Sequence, residues 1–450
     1  MDRMRPARNR HTRRDFMVMG GGATAGLILA GCGGGPEGNP AVGGSTGSGT
    51  GGASYSGPKV QLAFWNGFTG GDGPFMQQLV KDFNAEQKDI DVKMVVQEWA
   101  DFYAKVPQAV SSGTGPDVAI MHLNQLATNA ARTVILPLDD VAENLKLTES
   151  DFNPIVWQGG EYNGQRYGIP LDVHPLGFYY NKKVMEQGGL DPESPPTTND
   201  EYMAAVEDLK AKGIEGSWVS PFLFTGGLQW ESLVWQFGGD LYSDDGTEAI
   251  FNEQGGVDAL TWMVDLVKGG YSPKNVGQDA ETIAFQNGKN AFLWNGIWMI
   301  NAFKEIPDLE WGVTQLPQIG TERAAWASSH NFVITNKQDQ DPNKIDASKV
   351  FVNWVIDHSA EWAQSGQVPA QNSVRESAAF KKLVEQSALA EQLPYVHFPP
   401  PVPGIGDVDT IIERGVQEGV LLKSDPQQAL DDAASQADEI LAENAEKYQA

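Results

Sequence analysis

The stretch KVQLAFWNGFTGGDG, residues 59–73, opens the folded part of the chain. Val60 to Phe64 is a short apolar run that ends in Trp65, Asn66 and Gly67, so a buried strand hands an aromatic ring and an amide to a glycine-rich loop. The pattern then alternates. Pro74 to Gln87 reads as helix, IDVKMVV as strand, Asp101 to Ser112 as helix, DVAIM as strand and Leu123 to Ala131 as helix. Such alternation implies an α/β fold, with parallel strands and helices on both faces of the sheet. Ligands in these sheets sit beyond the C-terminal strand ends, so the loops after Phe64 and after Met121 share one ligand-facing edge. Gly67, Gly70, Gly71 and Gly73 are expected to let backbone approach a ligand. No lysine or arginine lies between Lys59 and Lys81 to favour an anion there.

Upstream of this strand the sequence concerns location. Six arginines precede an uncharged run from Phe16 to Gly31 that is too short and glycine-rich to span a bilayer, which reads as a signal peptide over residues 1–31. Thr12 to Met17 resembles a twin-arginine export signal, and Leu29-Ala30-Gly31-Cys32 resembles a lipobox whose cysteine takes a lipid. Cys32 is the single cysteine, so neither an internal disulfide nor a cysteine-based metal cluster can form. Residues 32–58 then read as a lipidated cysteine and flexible linker, rich in Gly and Ser. The expectation is an exported bacterial lipoprotein, monomeric and lipid-anchored on the outer face of the cytoplasmic membrane.

Without residues 1–31 the chain carries 26 basic and 57 acidic residues, a formal charge of −31. That surface repels nucleic acid and anionic headgroups and favours neutral or cationic ligands. About 390 residues remain, more than one core usually accommodates, so two domains are expected. Glu161 to Tyr167 contains Asn163-Gly164, the signature of a tight hairpin. A second strand follows in GFYYN, then a mainly helical stretch with strands at WGVTQ and NFVIT, and helices that include Leu228 to Phe237, Ala347 to Asp357 and Ser377 to Gln392.

Eight short landmarks stand in a fixed order: Trp65-Asn66-Gly67; Gly115-Pro116-Asp117-Val118; Leu136-Pro137-Leu138-Asp139; Tyr167-Gly168-Ile169-Pro170; Tyr179-Tyr180-Asn181-Lys182; Pro196 to Tyr202; Phe285 to Ala291; and Gly366-Gln367-Val368-Pro369. In this order the chain resembles the extracellular carbohydrate-binding lipoproteins of ABC importers, the solute-binding family that includes maltose-binding proteins. The resemblance implies a two-lobed periplasmic-binding-protein type II fold with hinge crossovers and an interlobe ligand cleft. Lobe one would be 59–170 plus 299–340, and lobe two 171–298 plus 341–450. Hinges would fall near Ile169 to His174, Trp294 to Ile300 and Ile334 to Gln340.

Sugars present an apolar face and a rim of hydroxyls, so their sites need aromatic platforms among amides, carboxylates and imidazoles. Of thirteen tryptophans, Trp65, Trp230, Trp294, Trp298 and Trp326 fall at loop or element ends. Trp262, Trp354 and Trp362 lie in helical patterns and read as packing residues. By resemblance, Asn66, Thr69, His122 and Asn124 supply lobe-one contacts. Asp172 and His174, two apart in an extended segment, put a carboxylate and an imidazole on one face. His330 sits in the loop Trp326 to Asn331, which family members often turn toward ligand, and His397 is a weaker candidate.

The resemblance therefore implies a receptor that captures a neutral mono- or oligosaccharide and passes it to ABC permease subunits, with no chemistry, cofactor or metal of its own. Two other readings stay open. Tyr179-Tyr180 is similar to the adjacent tyrosines of ferric-iron-binding proteins, and a non-sugar solute such as iron or a polyol phosphate is the alternative. A strand, however, would point those two rings to opposite faces. A secreted glycoside hydrolase would need two flanking carboxylates, and no nucleophile motif or metal-spaced histidine pair supports an enzyme.

Overall fold

The computed structural model describes residues 54–448 apart from residue 339, with only the backbone at 223 and 224. The signal peptide, Cys32 and most of the linker lie outside the described residues. Among the described residues no helix is long and apolar enough to cross a membrane.

The opening alternation folds as β1 (Val60–Asn66), α1 (Gly73–Glu86), β2 (Ile90–Val96), α2 (Trp99–Ser111), β3 (Val118–His122) and α3 (Leu123–Ala131). Asn163 and Gly164 both take the left-handed backbone that a type I′ turn requires, joining β4 (Glu161–Tyr162) to β5 (Gln165–Arg166). Next come β6 (Ile169–Pro170) and the ten-residue β7 (Asp172–Asn181), which extends the expected GFYYN strand at its start. Far along the chain follow β8 (Phe292–Gly296), β9 (Trp311–Thr314), β10 (Ala325–Ser328) and β11 (His330–Ile334).

Two sheets result. The first has the order β2-β1-β3-β11-β6, with β1 parallel to β2 and β3, and β11 antiparallel to both its neighbours. The second is built on β7, which pairs with β8, β9, β10 and the short strand Val368–Pro369. Alternation along β1 serves both faces of the first sheet. Leu62 and Phe64 enter one core with Phe83, Phe332 and Phe351, while Trp65 turns to a second core around Phe102 and Met121. Each large apolar side chain buried this way stabilises by roughly 1.5–3 kcal/mol. The wholly buried Asp117 anchors the rim, accepting from the Ala63 N–H at 2.8 Å and pairing with Lys337 and, at 3.2 Å, Lys344.

The chain passes between sheets at Leu171, whose N–H donates to His330 O at 2.8 Å, and returns at Ser329 between β10 and β11. The expected lobe boundaries need correction here. Residues 299–328 side with β7, because β9 and β10 both pair with it, so the return to the first sheet begins at β11 and not at 299. The helix Pro342–Asp357 and Trp362 pack in the core beneath β1 and β11, so residues 341–362 belong with the first sheet. The expected helix Ser377 to Gln392 is also broken: a short 3-10 turn ends at Lys382, Leu383 is extended, and the helix Val384–Ala390 follows.

Candidate functional site

Three strand ends meet where the chain crosses between sheets. Antiparallel pairing of β3 with β11 sets His330 directly across from His122, and pairing of β10 with β7 sets Ser328 across from His174. The period of two along β7 puts Asp172 and His174 on one face, as the sequence implied. The rings of His174 and His330 stack with centroids 4.1 Å apart, and His122 lies 5.0 Å from His330 and 5.4 Å from His174.

Asp172 organises the group. Its carboxylate accepts from the His330 N–H at 3.0 Å, from Nδ1 of His330 at 2.8 Å, from Nδ1 of His174 at 3.1 Å and from the indole N–H of Trp362 at 2.8 Å. Burial alone would raise its pKa, but His330 and these donors hold it well below the usual carboxylate range. Burial lowers His174 to about 4 and drives His122 down as well, so both imidazoles are neutral at pH 7. Nδ1 of His122 lies 2.7 Å from the Tyr103 hydroxyl, which also accepts the His122 N–H at 2.9 Å. Nε2 of His174 is buried with no partner among the described residues.

Aromatic rings enclose the imidazoles. Trp99 lies 4.3 Å from His122, Phe68 is edge-on to His330 at 4.8 Å, and Trp298 and Trp326 stand 6.1 and 5.9 Å from His174. Behind Phe68 the buried Asp72 accepts from Nε2 of Gln367 at 2.9 Å, and burial raises its pKa to about 6. Burial raises Glu231 strongly and Asp409 to about 7, with Asp407 reinforcing the latter, and Asp409 acts on Tyr103 in turn. None of these side chains is a lysine or arginine.

The structure thus gathers His122, Asp172, His174, Trp298, Trp326 and His330 from the sequence-derived candidates. Asn66 lies at the same edge, wholly buried, with Oδ1 accepting the Phe68 N–H at 3.2 Å and Nδ2 unpartnered. Asn124 is half-buried one residue into α3, and Thr69 is exposed. Trp65 packs in the core around Phe102.

Two more of the expected platforms lie elsewhere. Trp230 is fully buried against Phe251 and donates to Gly256 O, because Leu223–Gly227 continues as helical turn into Leu228–Gln236 and is not a soft loop. Trp294 is buried in β8 between Phe178 and Trp262. The Trp326 to Asn331 segment is likewise two strands with only Ser329 between them. His397 stacks on Trp235 at 4.8 Å, and Tyr179 and Tyr180 do point apart, Tyr179 being buried with its hydroxyl donating to Gly296 O.

The glycines also serve differently from expectation. A Cβ on Gly67 would lie 2.2 Å from the Trp99 ring, and one on Gly71 would lie 2.8 Å from Ala302 N. They admit protein groups, and Gly67 admits the very indole that covers His122. Sequence reasoning passed over Trp99, Tyr103 and Trp362; Trp362 sits in a helical run that carries no local sign of a polar role.

The chain matches the family model described as bacterial extracellular solute-binding protein over residues 69–362. It is 25% identical over 400 residues to the galactooligosaccharide-binding protein of Bacillus subtilis, spanning 86% of this chain and 90% of that protein. It is also 25% identical over 419 residues to the sn-glycerol-3-phosphate-binding periplasmic protein of Escherichia coli, spanning 84% of this chain and 92% of that one. The crystal structure of the cyclic alpha-maltosyl-1,6-maltose binding protein from Arthrobacter globiformis superposes with a TM-score of 0.71 at 26% identity, covering 86% of this chain and all of that one. The architecture is the two-lobed type II fold of periplasmic solute-binding proteins.

Proposed function

We propose a function from one premise: the chain belongs to the bacterial extracellular solute-binding protein family. Its role is that of the receptor of a carbohydrate ABC importer, which captures a neutral sugar between its lobes and delivers it to the permease without transforming it. The observation that carries this reading is the set of three imidazoles, the buried Asp172 and Asp72 and the tryptophan rings at the crossing of the two sheets, with no lysine or arginine among these residues. The half-buried ring of Trp298 suits the apolar face of a pyranose, and imidazole and carboxyl groups suit its hydroxyls. A phosphorylated solute, as in the name of the Escherichia coli relative, would meet the Asp172 carboxylate beside His174 and His330 and no lysine or arginine among these residues.

Calorimetric titration with a panel of neutral mono- and oligosaccharides, with tryptophan fluorescence as a second readout, tests the reading. At least one sugar should bind at micromolar affinity and be recovered unaltered. Binding of glycerol phosphates or ferric iron with silence toward every neutral sugar would replace it. The same proposal has the protein exported and held by lipid on Cys32, so Cys32→Ala should shift it from the membrane fraction to the soluble exported fraction; unchanged membrane retention would count against the anchor.

A further inference from the structure

We propose that His122, His174 and His330 form a binding site for a divalent transition-metal ion of the zinc class. One ring nitrogen from each of the three lies within 4.8 Å of those of the other two. Tetrahedral zinc with Zn–N bonds of about 2.0–2.1 Å sets its nitrogens about 3.3 Å apart, so the set has to draw in by up to about 1.5 Å to bind an ion. The three residues come from the end of β3, from β7 and from the start of β11, and backbone register fixes all three positions.

The surrounding hydrogen bonds choose the ligating atom. Nδ1 of His174 and Nδ1 of His330 both face the Asp172 carboxylate, which can only accept, so a ring that carries its proton there keeps its Nε2 lone pair for a metal. A carboxylate behind a histidine in this way orients the ring and raises its basicity toward a metal. Nδ1 of His122 faces the Tyr103 oxygen, whose two lone pairs take the His122 N–H and the ring N–H together when Nε2 is the ligand. The buried, unpartnered Nε2 of His174 is the second and independent sign that an acceptor here awaits an occupant.

Asp172 supplies the negative charge that a buried dication requires, and it is screened from water by Trp362 and the strand pairing. Three imidazoles leave a fourth position open, as in zinc sites that exchange a water or a solute oxygen. His122 is the least buried of the three. The inference does not rest on the carbohydrate reading.

The test uses tag-free, chelator-treated protein titrated with ZnCl2 by calorimetry and with CoCl2 by visible absorption, both without sugar. One-to-one binding with the intense d–d bands of four-coordinate cobalt is expected. His122→Ala, at the least buried of the three positions, should fold and weaken affinity by at least about tenfold, and Asp172→Asn should weaken it by about 10–100-fold. Absence of saturable binding overturns the proposal, as does binding that persists unchanged in both His122→Ala and His330→Gln. Sugar binding by the metal-free protein is measured separately, so failure of one reading leaves the other standing.

Discussion

The indole N–H of Trp362 donates to Oδ2 of Asp172 at 2.8 Å, linking residues 190 positions apart. Trp362 is anchored in the core beneath the first sheet, and Asp172 opens the strand that founds the second. The bond therefore clamps the crossover from both sides. Trp362→Phe keeps a ring but orphans part of a buried carboxylate and should cost about 1–3 kcal/mol. Asp172→Ala strands several donors at once and should cost more, about 3–5 kcal/mol. Urea unfolding at neutral pH measures both, and a Trp362→Phe midpoint equal to wild type would remove the clamp.

Two tryptophans should part company under mutation. Trp298→Ala is expected to weaken sugar binding by at least about tenfold while leaving the unfolding transition near wild type, since its ring is only half-buried beside His174. Trp230→Ala opens a cavity in the core and should destabilise by about 3–5 kcal/mol. Calorimetry paired with thermal unfolding separates the two, and wild-type affinity in Trp298→Ala would take that ring out of the site.

Gly67 is the point where the opening loop meets the site. An alanine there would press its Cβ to within 2.2 Å of the Trp99 ring carbons, so the indole has to move off His122. Gly67→Ala should lower stability by about 1–3 kcal/mol and change tryptophan fluorescence. A crystal structure of the variant with Trp99 in its original place would contradict this.

Stability should fall with rising pH in part through Asp409, an effect that Asp409→Asn isolates. Asp409 has its pKa raised from 3.8 to about 7 by burial, with Asp407 adding repulsion, and it adds to the burial that raises Glu231, Tyr242 and Tyr103. Between these values the folded chain holds a proton that the unfolded chain has released. The stabilisation is complete below pH about 4 and is lost as pH rises through about 7. Allowing for partial exposure, Asp409→Asn should gain on wild type by about 1–2 kcal/mol between about pH 5 and about pH 8. A stability gap that stays constant across that range would refute the assignment.

Much of this was written locally. Apolar periodicity from Val60 to Ala131 declared parallel strands and their helices, Asn163-Gly164 declared its hairpin, and Asp172 with His174 declared a shared face, because each depends on neighbours a few residues away. The tryptophan roles were not legible. Trp230 and Trp298 both stand at element ends, yet one packs against Phe251 and the other beside His174, and only the path of the chain between sheets separates them. The lobe boundaries failed for the same reason, since β9 and β10 join β7 through pairing that no local pattern announces.

The sequence by itself determined the alternating architecture, the likeness to solute-binding proteins and the shared sheet edge at the ends of β1 and β3. Tertiary structure alone decided that His122, His174 and His330 converge. They lie on three separate segments, and it is the antiparallel register of β11 on β3 and of β10 on β7, fixed by backbone hydrogen bonds between distant strands, that sets their rings 4.1 to 5.4 Å apart around one buried carboxylate.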